Sequence, residues 1–251
     1  MARNTTAAAL LPMRPPLHSL TALALLATFG GAPLLAQAQA SCSSDGVAQP
    51  VALYERFINA DCESCWAGPP AHAPGASALV LDWIVPGGLA DDAPLSAAAT
   101  RDALQRLQDL GRGVPPFSDT HTAEVQPLPG RLRVANGLAM NDYLGTGIAF
   151  QPAPRNLLPA GRYAYTLVLV ERVRAGTAGT PVERYVVRNA LQGNWNAGIP
   201  LSKKEQSAWI DNRSMRTPEG TDAERLFVAG WLQDAQGRIV AAAQSRCAAG
   251  S

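Results

Sequence analysis

Two apolar runs of strand length lie between residues 51 and 85, and the way hydrophobic positions recur in each predicts its surroundings. Val51–Asn59 alternates loosely, with Val51, Leu53 and Phe57 on one face and Tyr54 and Ile58 on the other. Ala78–Val85 (A-L-V-L-D-W-I-V) is apolar on both faces and closes on Pro86-Gly87-Gly88, the pattern of a strand covered on both sides of a parallel sheet. Asp91–Leu110 opens with turn residues and then becomes helical. Ala103, Leu104, Leu107 and Leu110 form its apolar stripe, Ser96 or Thr100 can serve as N-cap, and Gly111 fits the C′ position. Arg112–Gly130 holds four prolines, has no periodicity and reads as loop.

Beyond residue 130 the pattern changes. Arg131–Gly137, Tyr143–Gln151, Arg162–Arg174, Val182–Arg188, Arg225–Asp234 and Arg238–Gln244 all read as strands separated by turn signals. The clearest is Arg162–Arg174, where Tyr163, Tyr165, Leu167 and Leu169 alternate with Ala164, Thr166, Val168 and Val170. Ala190–Arg216 is less regular, with a short helix expected around Lys203–Asp211. These elements predict an α+β protein: a small α/β part over residues 41–130, followed by an antiparallel β-sandwich over residues 131–251.

The first forty residues stand apart. Arg3 and Arg14 make a positive start, Leu17–Leu35 is apolar but broken by Gly30, Gly31 and Pro33, and Ala38-Gln39-Ala40 supplies small residues at −3 and −1. This predicts a signal peptide over residues 1–40, cleaved after Ala40, and a periplasmic or secreted protein with no stable membrane span. The Gly-Gly-x-Pro break argues against a retained anchor, and Gln39 argues against lipidation at Cys42. Cleavage removes two arginines and no acid, taking the formal charge from +1 to −1. No basic field is left to attract nucleic acid.

All four cysteines, Cys42, Cys62, Cys65 and Cys247, follow the leader, and an even count in an oxidising compartment predicts two disulfides. Of the three pairings the simplest is Cys62–Cys65 with Cys42–Cys247. Cys62-Glu63-Ser64-Cys65 is also the specific chemical motif of the chain. It admits three readings: a thiol–disulfide exchange site with Cys62 attacking and Cys65 resolving, a structural bridge pinning the proline-rich loop after it, or a metal site completed by His72 and His121. A closed zinc site wants four ligands, so no metal or cofactor is expected. Asp82, inside an apolar run, is the buried-acid candidate: either a proton-transfer group near the cysteines, or a residue that ends the strand or pairs with an arginine. Asp119 and His121 lack the nucleophile context of a hydrolase triad. Trp195, Trp209 and Trp231 read as packing residues.

The order of strand, Cys62-x-x-Cys65, apolar strand with Asp82-Trp83, helix and β-rich tail resembles a family of exported proteobacterial proteins of unknown function with a thioredoxin-like fold. Arg184–Trp195 and Val228–Gln244 look like stretches of that family's β-sandwich tail. The resemblance implies a thioredoxin-like region over residues 41–130. Its pattern is degenerate here. Gly68, Pro69 and Pro70 limit the helix after Cys62 to about one turn, Asp61 and Glu63 place negative charge beside the thiols, and Pro127 and Pro129 lack the threonine that precedes the family's cis-proline. The function expected is therefore a non-catalytic binding or structural module; its partner is not specified by these residues, other exported proteins being the candidates. The alternative is a periplasmic thiol–disulfide oxidoreductase using Cys62 and Cys65.

Overall fold

A computed structural model describes residues 42–69, 74–153, 161–196 and 209–247. The predicted leader, His72 and the segment around Lys203 lie outside these described residues. Strand β1 (Cys42–Ser43) is followed by β2 (Ala52–Asn59), the one-turn helix α1 (Glu63–Ala67), β3 (Ala78–Val85) and helix α2 (Arg101–Asp109). Nine further strands complete the order: β4 (Ser118–Glu124), β5 (Gly130–Met140), β6 (Tyr143–Pro152), β7 (Arg162–Val173), β8 (Arg184–Asn196), β9 (Trp209–Arg216), β10 (Leu226–Gln233), β11 (Ile239–Gln244) and β12 (Arg246–Cys247).

The strands form two sheets, one of five in the order β12-β1-β5-β6-β9 and one of seven in the order β11-β10-β7-β8-β3-β2-β4. This overturns the expected α+β architecture with a separate thioredoxin-like α/β part. The molecule is mostly β, with only two α-helices among the described residues. The physical reason is that β3 does not end a small sheet. Beside its far edge lies β8, bridged in parallel at Asp82 and Val186, and β8 carries the sheet on into β7, β10 and β11. Residues 41–130 and 131–251 therefore share one hydrogen-bonded sheet. Only β2, β3 and β8 run parallel, and β4 closes the sheet antiparallel to β2.

Each face of the large sheet has its own cover. The five-stranded sheet packs on β7, β10 and β11 through Leu132, Val134, Ile148, Phe150, Leu167 and Val228. On the opposite face α2 lays Ala103 and Leu107 over Leu53, Phe57, Leu79, Leu81 and Trp83. A third cluster joins Trp66 of α1 to Ile58, Ile84 and Val186, on the face that Leu53 and Phe57 do not share. Gly230 lets the two sheets approach. A methyl built there would stand 2.9 Å from the Thr166 carbonyl oxygen and 3.0 Å from Ile148 Cδ1.

Helix α2 is set by its caps. The Thr100 hydroxyl accepts the Ala103 N–H at 3.2 Å, and Gly111 takes the left-handed conformation with φ +66° just past the end. Strand β4 is the element the hydrophobic pattern misses. S-D-T-H-T-A-E has no apolar alternation, and it is a strand because β2 offers a free edge with which residues 118–124 pair. The helix expected around Lys203–Asp211 differs where it can be seen: Trp209–Asp211 opens β9.

Candidate functional site

The C-terminal end of β2 delivers the cysteine turn, and three loops are tied to it. The Asn59 N–H donates to Phe117 O, and its amide donates to Pro115 O. The Asp61 carboxylate accepts the Gly88 N–H at 2.7 Å, and Leu95 N–H donates to Ala60 O. Cys62 then caps α1: its Sγ accepts the Cys65 N–H at 3.3 Å. Cys62 and Cys65 are joined in a disulfide with Cα atoms 5.3 Å apart, and Cys42 is joined to Cys247. Cys62 is 7% exposed and Cys65 only partly buried.

Behind this turn stands a side chain that the sequence reading did not single out. Arg184, 1% exposed at the start of β8, sends one nitrogen, Nη2, to three carbonyls: Cys65 at 3.1 Å, Trp66 at 2.8 Å and Gly68 at 2.7 Å. Its Nε donates to Thr180 Oγ1 at 3.2 Å, and its guanidinium lies 5.3 Å from the centre of the Trp66 ring. Trp66 is itself held by Nε1 donating to Ala178 O at 2.6 Å. Burial pulls the Arg184 guanidinium below its ordinary value, and Asp82 opposes that pull.

Asp82 is wholly buried on β3 and paired. Arg56 grips both its oxygens, at 2.5 and 2.9 Å, the Tyr185 N–H donates to it at 2.6 Å, and Arg184 Nη1 stands 3.9 Å away. Three donors on its two oxygens make it an anchor for Arg56 and for the backbone of β8, with the Arg184 guanidinium close by.

A second buried carboxylate faces the other way from β2. Glu55, wholly buried, accepts from Arg106 Nε at 2.8 Å and Nη2 at 2.7 Å, and from Trp83 Nε1 at 3.0 Å. His121 Nδ1 lies 3.4 Å from it. Burial alone would raise this carboxyl, but Arg106 and His121 outweigh it and hold Glu55 below the ordinary glutamate value. The structure thus places His121 beside Glu55, while Asp119 pairs with Arg112 at 2.5 Å. Glu55 and Arg56 carry a readable signal: charged neighbours inside a strand buried on both faces must find internal partners. Arg184 and Arg106 carry none, because their partners are remote in sequence.

Of the tryptophans, Trp231 is fully buried under Arg106, 5.0 Å from its ring centre, and Trp209 is 7% exposed among Phe150, Tyr163 and Trp195. Pro127 and Pro129 alternate with Gln126 and Leu128, whose N–H groups donate to Ile239 O and Val240 O of β11. No group of three or more His, Cys, Asp or Glu side chains suited to a metal ion occurs among the described residues. Nor does any described helix have the length and apolarity to cross a membrane. Three open clefts of about 620, 650 and 670 Å³ lie elsewhere on the surface, and neither Cys62 nor Cys65 lines any of them.

No family model matches the chain, and no curated protein matches it. Among solved structures, HBP35 of Porphyromonas gingivalis superposes with a TM-score of 0.48 at 10% identity, over 78% of this chain and 74% of that one. A second, pT26-6p, gives a TM-score of 0.26 at 10% identity, over 51% of this chain and 33% of that one. Likenesses of this strength carry no statement about activity.

Proposed function

We propose that the protein is an exported, non-catalytic binding or structural module in which Cys62–Cys65 is a structural bridge. The observation that carries this reading is the packing of the turn. The sulfur that would have to attack belongs to a residue 7% exposed, Asp61 and Glu63 flank it, and the buried-acid candidate Asp82 is already bound by Arg56 and the Tyr185 N–H. Exchange needs an accessible, low-pKa thiol, and neighbouring negative charge works against one. The two disulfides support export, because such bridges persist in oxidising compartments.

One observation favours the alternative of a thiol–disulfide oxidoreductase. Cys62 Sγ accepts the Cys65 N–H and stands 3.5 Å from Ser64 Oγ, and both groups would stabilise a thiolate on Cys62. The reduction potential separates the two readings. Purified protein with native bridges is equilibrated in graded thiol buffers, and its alkylated peptides are weighed. A Cys62–Cys65 potential below about −300 mV supports the structural bridge, and one above about −250 mV overturns it in favour of exchange.

A further inference from the structure

The last carbonyls of a helix have no intrahelical donor, and a cation near them is favourable. Helix α1 has five residues, too few to stay ordered on hydrogen bonds alone. Its C-terminal carbonyls are gathered by a single guanidinium nitrogen, the two hydrogens of Arg184 Nη2 serving Cys65, Trp66 and Gly68. Thr180 and Asp82 hold the rest of the guanidinium, and the Trp66 ring lies against it. The clamp is therefore held from β3 and from the loop that leads into β8.

We propose that Arg184 is a positioning residue that keeps the Cys62–Cys65 turn closed and so makes that bridge resistant to reduction; the inference rests on the structural reading of the bridge. When an external dithiol reduces the bond, one of its thiolates attacks a cysteine sulfur and forms a mixed disulfide. The second thiolate then closes the reductant into its own cyclic disulfide. Two electrons and two protons end on Cys62 and Cys65 as thiols. Once the bond is open α1 is free to unwind, and the three carbonyl contacts are lost with it. Contacts made in the closed state and lost in the open one favour the disulfide by linkage.

Charge alone predicts the opposite sign. A cation near a thiolate stabilises the reduced form, so its removal would make reduction harder. Arg184→Lys separates the two effects, because it keeps the charge and loses the planar fork.

The test measures the reduction equilibrium of wild type, Arg184→Lys and Arg184→Gln in graded dithiothreitol buffers at pH 7, by alkylation and peptide mass. The clamp predicts that both variants are at least tenfold easier to reduce at Cys62–Cys65, a shift of about 30 mV. Cys42–Cys247, read in the same samples, should not move. Thr180→Val, which removes only the Nε partner, is the milder variant and should shift the same way by less. An unshifted Arg184→Lys, a shift toward harder reduction, or an equal shift at both bridges would overturn the clamp. The wild-type value by itself tests the structural reading, and the difference between proteins tests Arg184.

Discussion

Glu55 and Arg56 are consecutive residues of one buried strand, yet they belong to different networks, because successive side chains point to opposite faces. Glu55 is the more exposed to perturbation in the energetic sense. Its partner Arg106 is 3% exposed, so removing the carboxylate's charge leaves a buried guanidinium against the Trp231 ring without its ion partner. Glu55→Gln is expected to destabilise the fold by about 3–5 kcal/mol in urea melts at pH 7, the range for breaking a buried ion pair on one side. The pH dependence has a definite sign. Glu55 is held below its ordinary value in the fold, so its contribution is fully present above the unfolded value of about 4.3 and disappears as pH falls through the lower folded value. The gap between wild type and Glu55→Gln should therefore close as pH falls below about 4. A gap that widened in acid would show that Arg106 does not stabilise the charged form.

The contact between the two sheets turns on Gly230. It faces Val134 and Ile148 of the five-stranded sheet, with Cγ1 of Val134 3.2 Å from where a methyl would sit. Gly230→Ala should cost about 1–3 kcal/mol through overpacking, measured by the shift in urea midpoint at unchanged slope. Ala241→Gly, a shortening of a side chain in the same interface, offers no relief of that clash and should not rescue it. Most elements were legible in the residue pattern. Leu53 and Phe57 against Ile58 in β2, the doubly buried β3, the Thr100 cap and Gly111 of α2, and the alternation in β7 each carry local information. Strand β4 and the parallel bridge between Asp82 and Val186 carry none. A polar strand forms because an edge is available, and a sheet is extended by a partner about a hundred residues away; neither follows from periodicity. The same limit applies to the site. The Cys62-x-x-Cys65 turn and the burial of Asp82 were readable from local pattern, whereas Arg184, which joins them, became visible only when β8 was seen lying beside β3.

The whole molecule is closed by Cys42–Cys247, which spans 205 positions and joins strands β1 and β12 of two residues each. Strands β1 and β12 lie in a segment that has other anchors besides the bond. Ser44 N–H donates to Val134 O and Val134 N–H to Ser44 Oγ, while Ser245 Oγ donates to Asn136 Oδ1 and accepts the Val228 N–H. With these contacts in place, cutting the bridge changes the folded state little and frees the unfolded chain. The loop-entropy relation puts that effect at up to about 5 kcal/mol for a loop of this length. The double variant Cys42→Ala/Cys247→Ala should therefore unfold at a much lower urea concentration as a whole. Amide exchange in the native state should be faster across β2, β3 and β7 alike, because their slowest exchange passes through global unfolding. If only β1, β12 and their immediate neighbours exchanged faster while the urea midpoint held, the bridge would be a local clasp. The stability of the two-sheet body would then have to come from its interface and its buried ion pairs alone.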